Sequence, residues 1–301
     1  GLSYKTEGPY EAMLKGLDLV GPKMSALVQN AYELTAFKKM AMYCWRGGKR
    51  SQSMAWLLNN AGFEIVVLKG GYKSYRNYIH SCFENLSLDI LILGGKTGNA
   101  KTEILSLLQK FGEPVVDLEA LARHKGSAFG SIGESSQLYN EQFENNLFVK
   151  LKEIEKKYSY VWLENESRTI GRNYIPDALW LKMKNSTLIN INRNLECRIQ
   201  HLLKCYNRDN SEELISSFKK IEKRLGFEMT EKAIGFVREG LLDEAAILAL
   251  NYYDKCYEYN LYTNKSPHIV HFDFANDSVE QITLKLIENK EMYNNGRSRE
   301  D

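Results

Sequence analysis

The chain holds 301 residues, 44% hydrophobic and 26% charged, with a formal net charge of +2. That length suits about two globular domains, and the balanced charge neither demands nor excludes a nucleic-acid partner, because a basic patch can sit inside a neutral total. No apolar run approaches the roughly 18 residues of a membrane-spanning helix, so no membrane partner is expected.

Residues 11–38 place Met13, Leu14, Leu17, Val20, Met24, Leu27, Val28 and Ala31 at helical spacing, with a break at Gly21-Pro22. "MAMYC" (40–44) reads as a short strand, and "SQSMAWLLNNAG" (51–62) as a helix with Ser51 near its start and Gly62 just past its end. "FEIVVLKGG" (63–71) is a second strand closed by Gly70-Gly71. Strand, loop, helix and strand make the βαβ unit of a parallel sheet. A second such unit begins at "SLDILILGGKTGNAKTEILSLLQKFG" (87–112), with further strands at "PVVDL", "YSYVWLENES" and "STLININ". Beyond residue 196 the pattern turns helical, in "LECRIQHLLKCY", "SEELISSFKKIEKRLG" and "LLDEAAILALNYYDKCYEYN", and "EMYNNGRSRED" reads as a frayed polar tail. The predicted organisation is a first α/β domain over 1–80, a second over 85–196, a helical region over 197–290 and a tail over 291–301.

Cys44, Cys82, Cys197, Cys205 and Cys256 are odd in number and far apart, with no CxxC pair. That pattern fits reduced thiols in a cytoplasm rather than a disulfide framework or a zinc site. His268 and His271 lie three apart but have no clustered partner ligands. Trp45, Trp56 and Trp180 are expected in the core rather than as base-stacking platforms.

Cys44 precedes a predicted helix and shares a loop with Arg46, Gly47, Gly48, Lys49, Arg50 and Ser51. Cations and a helix N-terminus both lower a thiol's pKa, and the two glycines let successive N–H groups form an anion nest. The alternative is an inert buried cysteine followed by a basic surface turn. Two chemistries share the design: the persulfide cysteine of rhodaneses and the C-x5-R phosphate cradle of cysteine phosphatases. From Cys44 to Arg50 the spacing is C-x5-R, one residue longer than the usual sulfurtransferase loop, so loop length favours a phosphate-sized anion.

"GKTGNAKT" follows G-x-x-x-x-G-K-[ST] from Gly95 through Lys96, Thr97, Gly98 and Asn99 to Lys101 and Thr102, except that Ala100 stands where the pattern has glycine. A strand precedes it and a helix follows, the setting in which amides face a diphosphate or triphosphate. Ala100 must then adopt the backbone angles of a glycine or distort the loop. Glu164 and Glu166 end a later strand, where a carboxylate could hold Mg²⁺. Strand-end acids are otherwise simply solvated.

The two loops in this order resemble the tRNA 2-selenouridine synthase family, a rhodanese domain fused to a P-loop domain. The resemblance extends through "KGLDLVGPK", "YCWRGGKRSQSMAWLL", "LKGGYKSYR", "DLEALARHKGSAFG", "EQFENNLF" and "ENESRTIGRNYIPDAL". It implies an α/β fold: a rhodanese-like parallel sheet, incomplete at its N-terminus, then a P-loop α/β domain with a helical C-terminal region. The family's opening strand with its acidic-x-Arg element is not found before Gly1, which suggests a truncated half or a separate chain completing it. The implied activity has two steps on a wobble 2-thiouridine: geranylation with geranyl diphosphate, then replacement of the geranylthio group by selenium from selenophosphate, with Cys44 taking the selenium. Substrates rather than a tightly bound cofactor, a tRNA partner and a selenophosphate supply system follow from it. By motif, His124, Lys125, Ser127, Phe129, Ser167, Arg168 and Arg172 are expected to face ligand or tRNA. Arg168 and Arg172, four apart, could grip phosphates from one helix face. The competing readings are a C-x5-R cysteine phosphatase fused to a nucleotide-binding domain and a non-catalytic RNA-binding module.

Overall fold

The run "LDILILGG" forms the central strand of a five-stranded parallel sheet, and the larger of two structural units is arranged about it. The computed structural model describes residues 2–206, 208–263 and 268–294. Its two units are Gly1–Ser81 and Cys82–Asp301.

The first unit opens with helices α1 (Leu2–Thr6), α2 (Pro9–Val20) and α3 (Met24–Leu34), the last two separated by a 3₁₀ turn at Gly21–Lys23. Pro22 has no N–H for the helical ladder, which accounts for the break. The helical run stops at Leu34 rather than 38, and Lys38 takes a left-handed φ of 53° before the first strand. Helix α2 buries none of its side chains. Strand β1 (Lys39–Met42) pairs in parallel with β2 (Glu64–Val67), from Lys39↔Glu64 to Met42↔Val67, and α4 (Lys49–Asn60) makes the crossover. Ala31, Leu58 and Phe63 form the core between helices and strands. Helix α5 (Gly71–Glu84) then carries the chain into the second unit. The two-stranded sheet leaves Trp45 and Trp56 about half or more exposed, against the expectation of core positions.

The second unit begins with β3 (Asp89–Gly95), α6 (Lys101–Lys110), β4 (Val115–Val116), α7 (Leu118–Ala122) and α8 (Asn140–Glu155). Strand β5 (Tyr160–Glu164), the antiparallel hairpin β6 (Thr169–Ile170) and β7 (Asn173–Tyr174), α9 (Asp177–Lys184) and β8 (Thr187–Asn192) follow. Helices α10 (Leu195–Cys205), α11 (Ser211–Leu225), α12 (Phe227–Glu239) and α13 (Leu242–Thr263) precede β9 (Ile269–Asp273), α14 (Val279–Glu288) and α15 (Lys290–Asn294). The sheet order is β4-β5-β3-β8-β9, every pairing parallel. Strands covered on both faces are near-continuously apolar, as Leu91, Leu93, Trp162, Ile189 and Ile191 show. Helices α11–α13 build a separate apolar cluster around Phe129, Phe218, Ile234 and Val237.

Three expectations change here. The region read as wholly helical supplies β9, which pairs with β8 from Leu188↔Ile269 to Asn192↔Asp273. Arg168 and Arg172 do not share a helix face, because Gly171 at φ 60° turns the chain between β6 and β7. Tyr293, inside the stretch read as a polar tail, is buried edge-on against Trp162. Residues 295–301 of that tail lie outside the described residues.

Candidate active site

The loop between β3 and α6 closes on itself through its own backbone and through β8. Gly95 at φ 148° and Gly98 at φ 85° both need glycine. A Cβ on Gly95 would stand 2.7 Å from Ile191 O, and one on Gly98 2.9 Å from Arg198 O. Asn99 N–H donates to Lys96 O at 3.2 Å, and buried Asn99 Nδ2 donates to Ile191 O at 2.8 Å. Ala100 takes the glycine conformation outright, at φ 60° and ψ 31°, as the residue capping α6. The loop therefore keeps its shape, and the alanine carries a left-handed strain of about 1 kcal/mol. Free amides at the start of α6, with the helix dipole behind them, favour an anion at this end of the helix. Lys101 Nζ donates to Gly95 O at 3.2 Å and lies 3.7 Å from Glu164 Oε1.

Around that lysine the parallel strands deliver carboxylates from their C-terminal ends. Glu119, Glu164 and Glu166 present oxygens within 4.8 Å of one another. Thr102 Oγ1 donates to Glu119 Oε2 at 3.1 Å. Glu164 Oε2 is buried with no hydrogen-bond partner. Burial pushes Glu119 up to about 8, with the Glu166 charge adding to it and Lys101 opposing. Burial likewise raises Glu164 and Glu166, each further raised by a neighbouring carboxylate and partly relieved by Lys101. One ammonium cannot neutralise two buried carboxylates and a half-buried third, so the trio either holds protons or takes a cation. Hard oxygen donors with one orphaned oxygen fit a divalent ion such as Mg²⁺.

A second tie comes from far along the chain. Arg198 on α10 donates through Nε to Thr97 O at 2.8 Å and grips Asp254 on α13 with both Nη atoms, at 2.9 and 2.5 Å. Lys96 reaches Glu258 at 2.6 Å and Asp254 at 3.6 Å. Two cavities adjoin the site. One, lined by Thr97, Ser127, Phe129 and the facing sides of α10–α13, is almost wholly apolar. The other is more polar and lies among Asn165, Glu166, Ser167, Trp180 and Tyr257. Gly126, whose Cβ would collide with the Glu166 carboxylate, lets the loop before Ser127 close over that acid.

The cysteine loop in the first unit is built differently. Cys44 Sγ accepts from Gly48 N–H at 3.3 Å and from the buried Ser51 hydroxyl at 3.3 Å. The Ser51 hydrogen bonds, its hydroxyl's first, pull the thiol down to about 6; burial opposes them and the Gly48 amide adds to them. Gly48 caps α4, so the sulfur sits at that helix's N-terminus. Gly70 and Gly71 brace the loop from the end of the βαβ unit. Tyr72 N–H donates to Cys44 O at 3.0 Å and Lys73 N–H to Trp45 O at 2.9 Å. Gly47 at φ 65° leaves room for them, since its Cβ would stand 2.7 Å from the amide nitrogens of Gly70 and Gly71.

The family model described as the tRNA 2-selenouridine synthase AAA domain matches residues 88–288. The chain belongs to the tRNA 2-selenouridine synthase family. A family relative so named from Nitrosomonas europaea is 34% identical over 68% of this chain and 54% of its own length. One from Sulfurovum sp. is 33% identical over 88% of this chain and 81% of its own, and one from Bdellovibrio bacteriovorus is 36% identical over 68% and 55%. The chain thus spans about half the length of the first and third of these family members. A solved tRNA isopentenylpyrophosphate transferase from Bacillus halodurans is 11% identical, covering 69% of this chain and 98% of that one at a TM-score of 0.34, too slight a likeness to argue from.

Of the residues singled out by motif, the structure gathers Gly95, Lys96, Thr97, Gly98, Asn99, Ala100, Lys101, Thr102, Glu164 and Glu166 into one site. Ser127 and Phe129 line the apolar cavity beside it. His124 packs between Gly130 and Gly171, and burial, with Lys220 nearby, lowers its pKa. Lys125 pairs with Glu134 at 3.4 Å and lies over the Tyr206 ring. Arg168 is exposed and bound to Asp177, and Arg172 donates to Gln137 O. Ser167 donates to Thr169 O at 2.6 Å, shaping the hairpin. In the cysteine loop Arg46, Lys49 and Arg50 are exposed, so backbone amides and Ser51, not cations, surround the sulfur. Glu119, Arg198 and Asp254 were missed. Glu119 alone left a sequence signal, as an acid directly after a parallel strand in "PVVDLE".

Proposed function

We propose that this chain modifies wobble 2-thiouridine in tRNA, using the second unit for prenyl transfer and the rhodanese-like first unit for selenium. Support comes from the presence, in one chain of this family, of a P-loop anion site and a separate cysteine loop with a thiol near pKa 6. In the first step the thiouridine sulfur attacks C1 of geranyl diphosphate. The C1–O bond breaks, pyrophosphate leaves into the P-loop, and the base gives up its N3 proton. Lys101 and the first amides of α6 hold the diphosphate and stabilise the charge on its leaving oxygen. Mg²⁺, held by Glu119, Glu164 and Glu166, would supply further charge neutralisation of the diphosphate. The more polar cavity beside Glu166 would take the base. In the second step selenium from selenophosphate replaces the geranylthio group at C2, and geranylthiol and phosphate are released. Cys44, mostly thiolate at neutral pH with a pKa near 6, attacks C2 and expels the geranylthiolate, which takes up a proton. The selenium of selenophosphate then displaces Cys44 from C2, and water cleaves the P–Se bond to release phosphate.

The test is mass spectrometry of wobble nucleosides after incubation with 2-thiouridine tRNA, geranyl diphosphate and selenophosphate. Geranylthio-uridine and selenouridine are expected in that order. Release of phosphate from an aryl phosphate with unchanged nucleosides would replace this reading with the phosphatase one.

A further inference from the structure

The apolar cavity beside the P-loop has a volume of about 70 Å³ and is lined by almost no polar surface. Its mouth is marked by Thr97 of the P-loop and Ser127, and helix α13 forms one wall along its length through Ala245, Ala249 and Tyr253. Asp254, the next residue on α13, is the one that Arg198 ties to Thr97 O. The helix therefore runs from the P-loop outward along the cavity to Leu242 at the far end. At a rise of 1.5 Å per residue, Ala249 lies about 7 Å and Ala245 about 13 Å along the helix from Asp254. Ala245, Ala246 and Ala249 make this wall of small side chains, between Leu242 at one end and Leu250 and Tyr253 at the other.

We propose that this cavity takes the hydrocarbon tail of the diphosphate substrate and that Ala249 and Ala245 set the tail length it accepts. The inference rests on the prenyl-transfer reading and adds the residues that select among prenyl diphosphates. At ordinary carbon–carbon bond lengths a C5 tail stretches about 4 Å, a C10 tail about 9 Å and a C15 tail about 14 Å. With C1 held level with Asp254, a C10 tail would pass Ala249 and stop short of Ala245, whereas a C15 tail would reach Ala245. Phe129 packs edge-on to Phe218 at 5.0 Å and near Tyr253 at 6.3 Å, forming an aromatic collar near the mouth.

The experiment measures binding of pyrophosphate and of C5, C10 and C15 prenyl diphosphates by calorimetry, with transfer to 2-thiouridine tRNA read by mass spectrometry. Wild type, Ala249→Phe and Ala245→Phe are compared, and Ala249→Leu serves where the phenylalanine variant fails to fold. Wild type is expected to bind the C10 diphosphate at least tenfold tighter than pyrophosphate. Ala249→Phe should abolish that gain while keeping the pyrophosphate and C5 affinities, and Ala249→Leu should do so in part. Ala245→Phe should weaken only the C15 ligand. A folded Ala249→Phe or Ala249→Leu protein with the wild-type C10-to-pyrophosphate ratio overturns the inference, leaving the cavity a packing void. Wild type that binds C10 and pyrophosphate equally overturns it too. If C10 binds as proposed but is never transferred to tRNA, the prenyl-transfer reading fails and the pocket assignment stands.

Discussion

The cysteine loop and the P-loop are both turns between a parallel strand and a helix N-terminus, yet they treat charge in opposite ways. Around Cys44 the donors are neutral, an amide and a hydroxyl, and they stabilise an anion that the protein itself carries. Around Lys101 the protein's own carboxyl groups outnumber the cation, and burial raises their pKa values and so favours the protonated form. In the proposed function one loop gives up a proton and the other exchanges protons for metal, so the same local architecture would seat a nucleophile or a leaving group, depending on which side chains the neighbouring strands deliver.

The sharpest way to break the comparison is to remove each centre in turn. Cys44→Ser is expected to abolish selenouridine while geranylthio-uridine still forms. Lys101→Ala should lower geranylation by about a hundredfold or more, the scale of losing a preorganised charge at a leaving group, yet still permit selenation of pre-geranylated tRNA. If Cys44→Ser stops both steps in a folded, tRNA-binding protein, the loops share one centre. Iodoacetamide labelling of Cys44, followed peptide by peptide, should show a midpoint near pH 6. In Ser51→Ala that midpoint should move up towards the ordinary thiol value, because the Ser51 hydrogen bond is the largest cause of the shift. A midpoint unmoved by this change would assign the shift to the helix terminus instead.

Gly71→Ala probes the brace. Its Cβ would collide with Cys44 O and Gly47 N in a left-handed turn at φ 63°, so a loss of about 2–3 kcal/mol is expected. Thermal melting and Cys44 labelling should change together, while diphosphate binding stays as it was.

The carboxylate trio predicts a pH dependence of the opposite sense to that of ordinary surface acids. Its folded pKa values lie above the unfolded ones, so the native state binds more protons between about pH 4.5 and 8. Stability without metal should therefore fall as pH rises through that window. Added Mg²⁺ should restore it, most strongly at the alkaline end, with proton release measurable by calorimetry in buffers of different ionisation enthalpy. Glu119→Gln should flatten the dependence. The smallest expected effect is Ala100→Gly, which relieves the left-handed alanine and should leave stability within about 1 kcal/mol of wild type. Diphosphate affinity should be unchanged or slightly better, and a marked loss would mean that the buried methyl group, not the backbone, positions the loop.

Local pattern carried much of this into view from the sequence. The two strand-loop-helix units, Cys44 beside its helix and the run Gly95–Thr102 were readable because each is contiguous and each residue's backbone demand is known. What stayed hidden depends on chain segments far apart in sequence. Arg198 meets Thr97 about a hundred residues away and Asp254 more than fifty away. Gly70-Gly71 read as the end of a strand, and only the fold shows that it props the cysteine loop. The four-residue spacing of Arg168 and Arg172 is consistent with a helix, and only the pairing of β6 with β7 around Gly171 shows the hairpin. Basic residues near Cys44 suggested that cations would activate it, but long charged side chains are free to point into water.

Among the described residues of the second unit, one apolar cluster packs on the sheet and another joins α11–α13. Separate clusters of this kind are expected to open as separate cooperative units. In hydrogen exchange, amides of α11–α13 are expected to be released by openings that leave β3, β5 and β8 protected. The strand that anchors the P-loop would then stay closed while the cavity's helical wall breathes, so a long greasy tail could be admitted without loosening the grip on the phosphates.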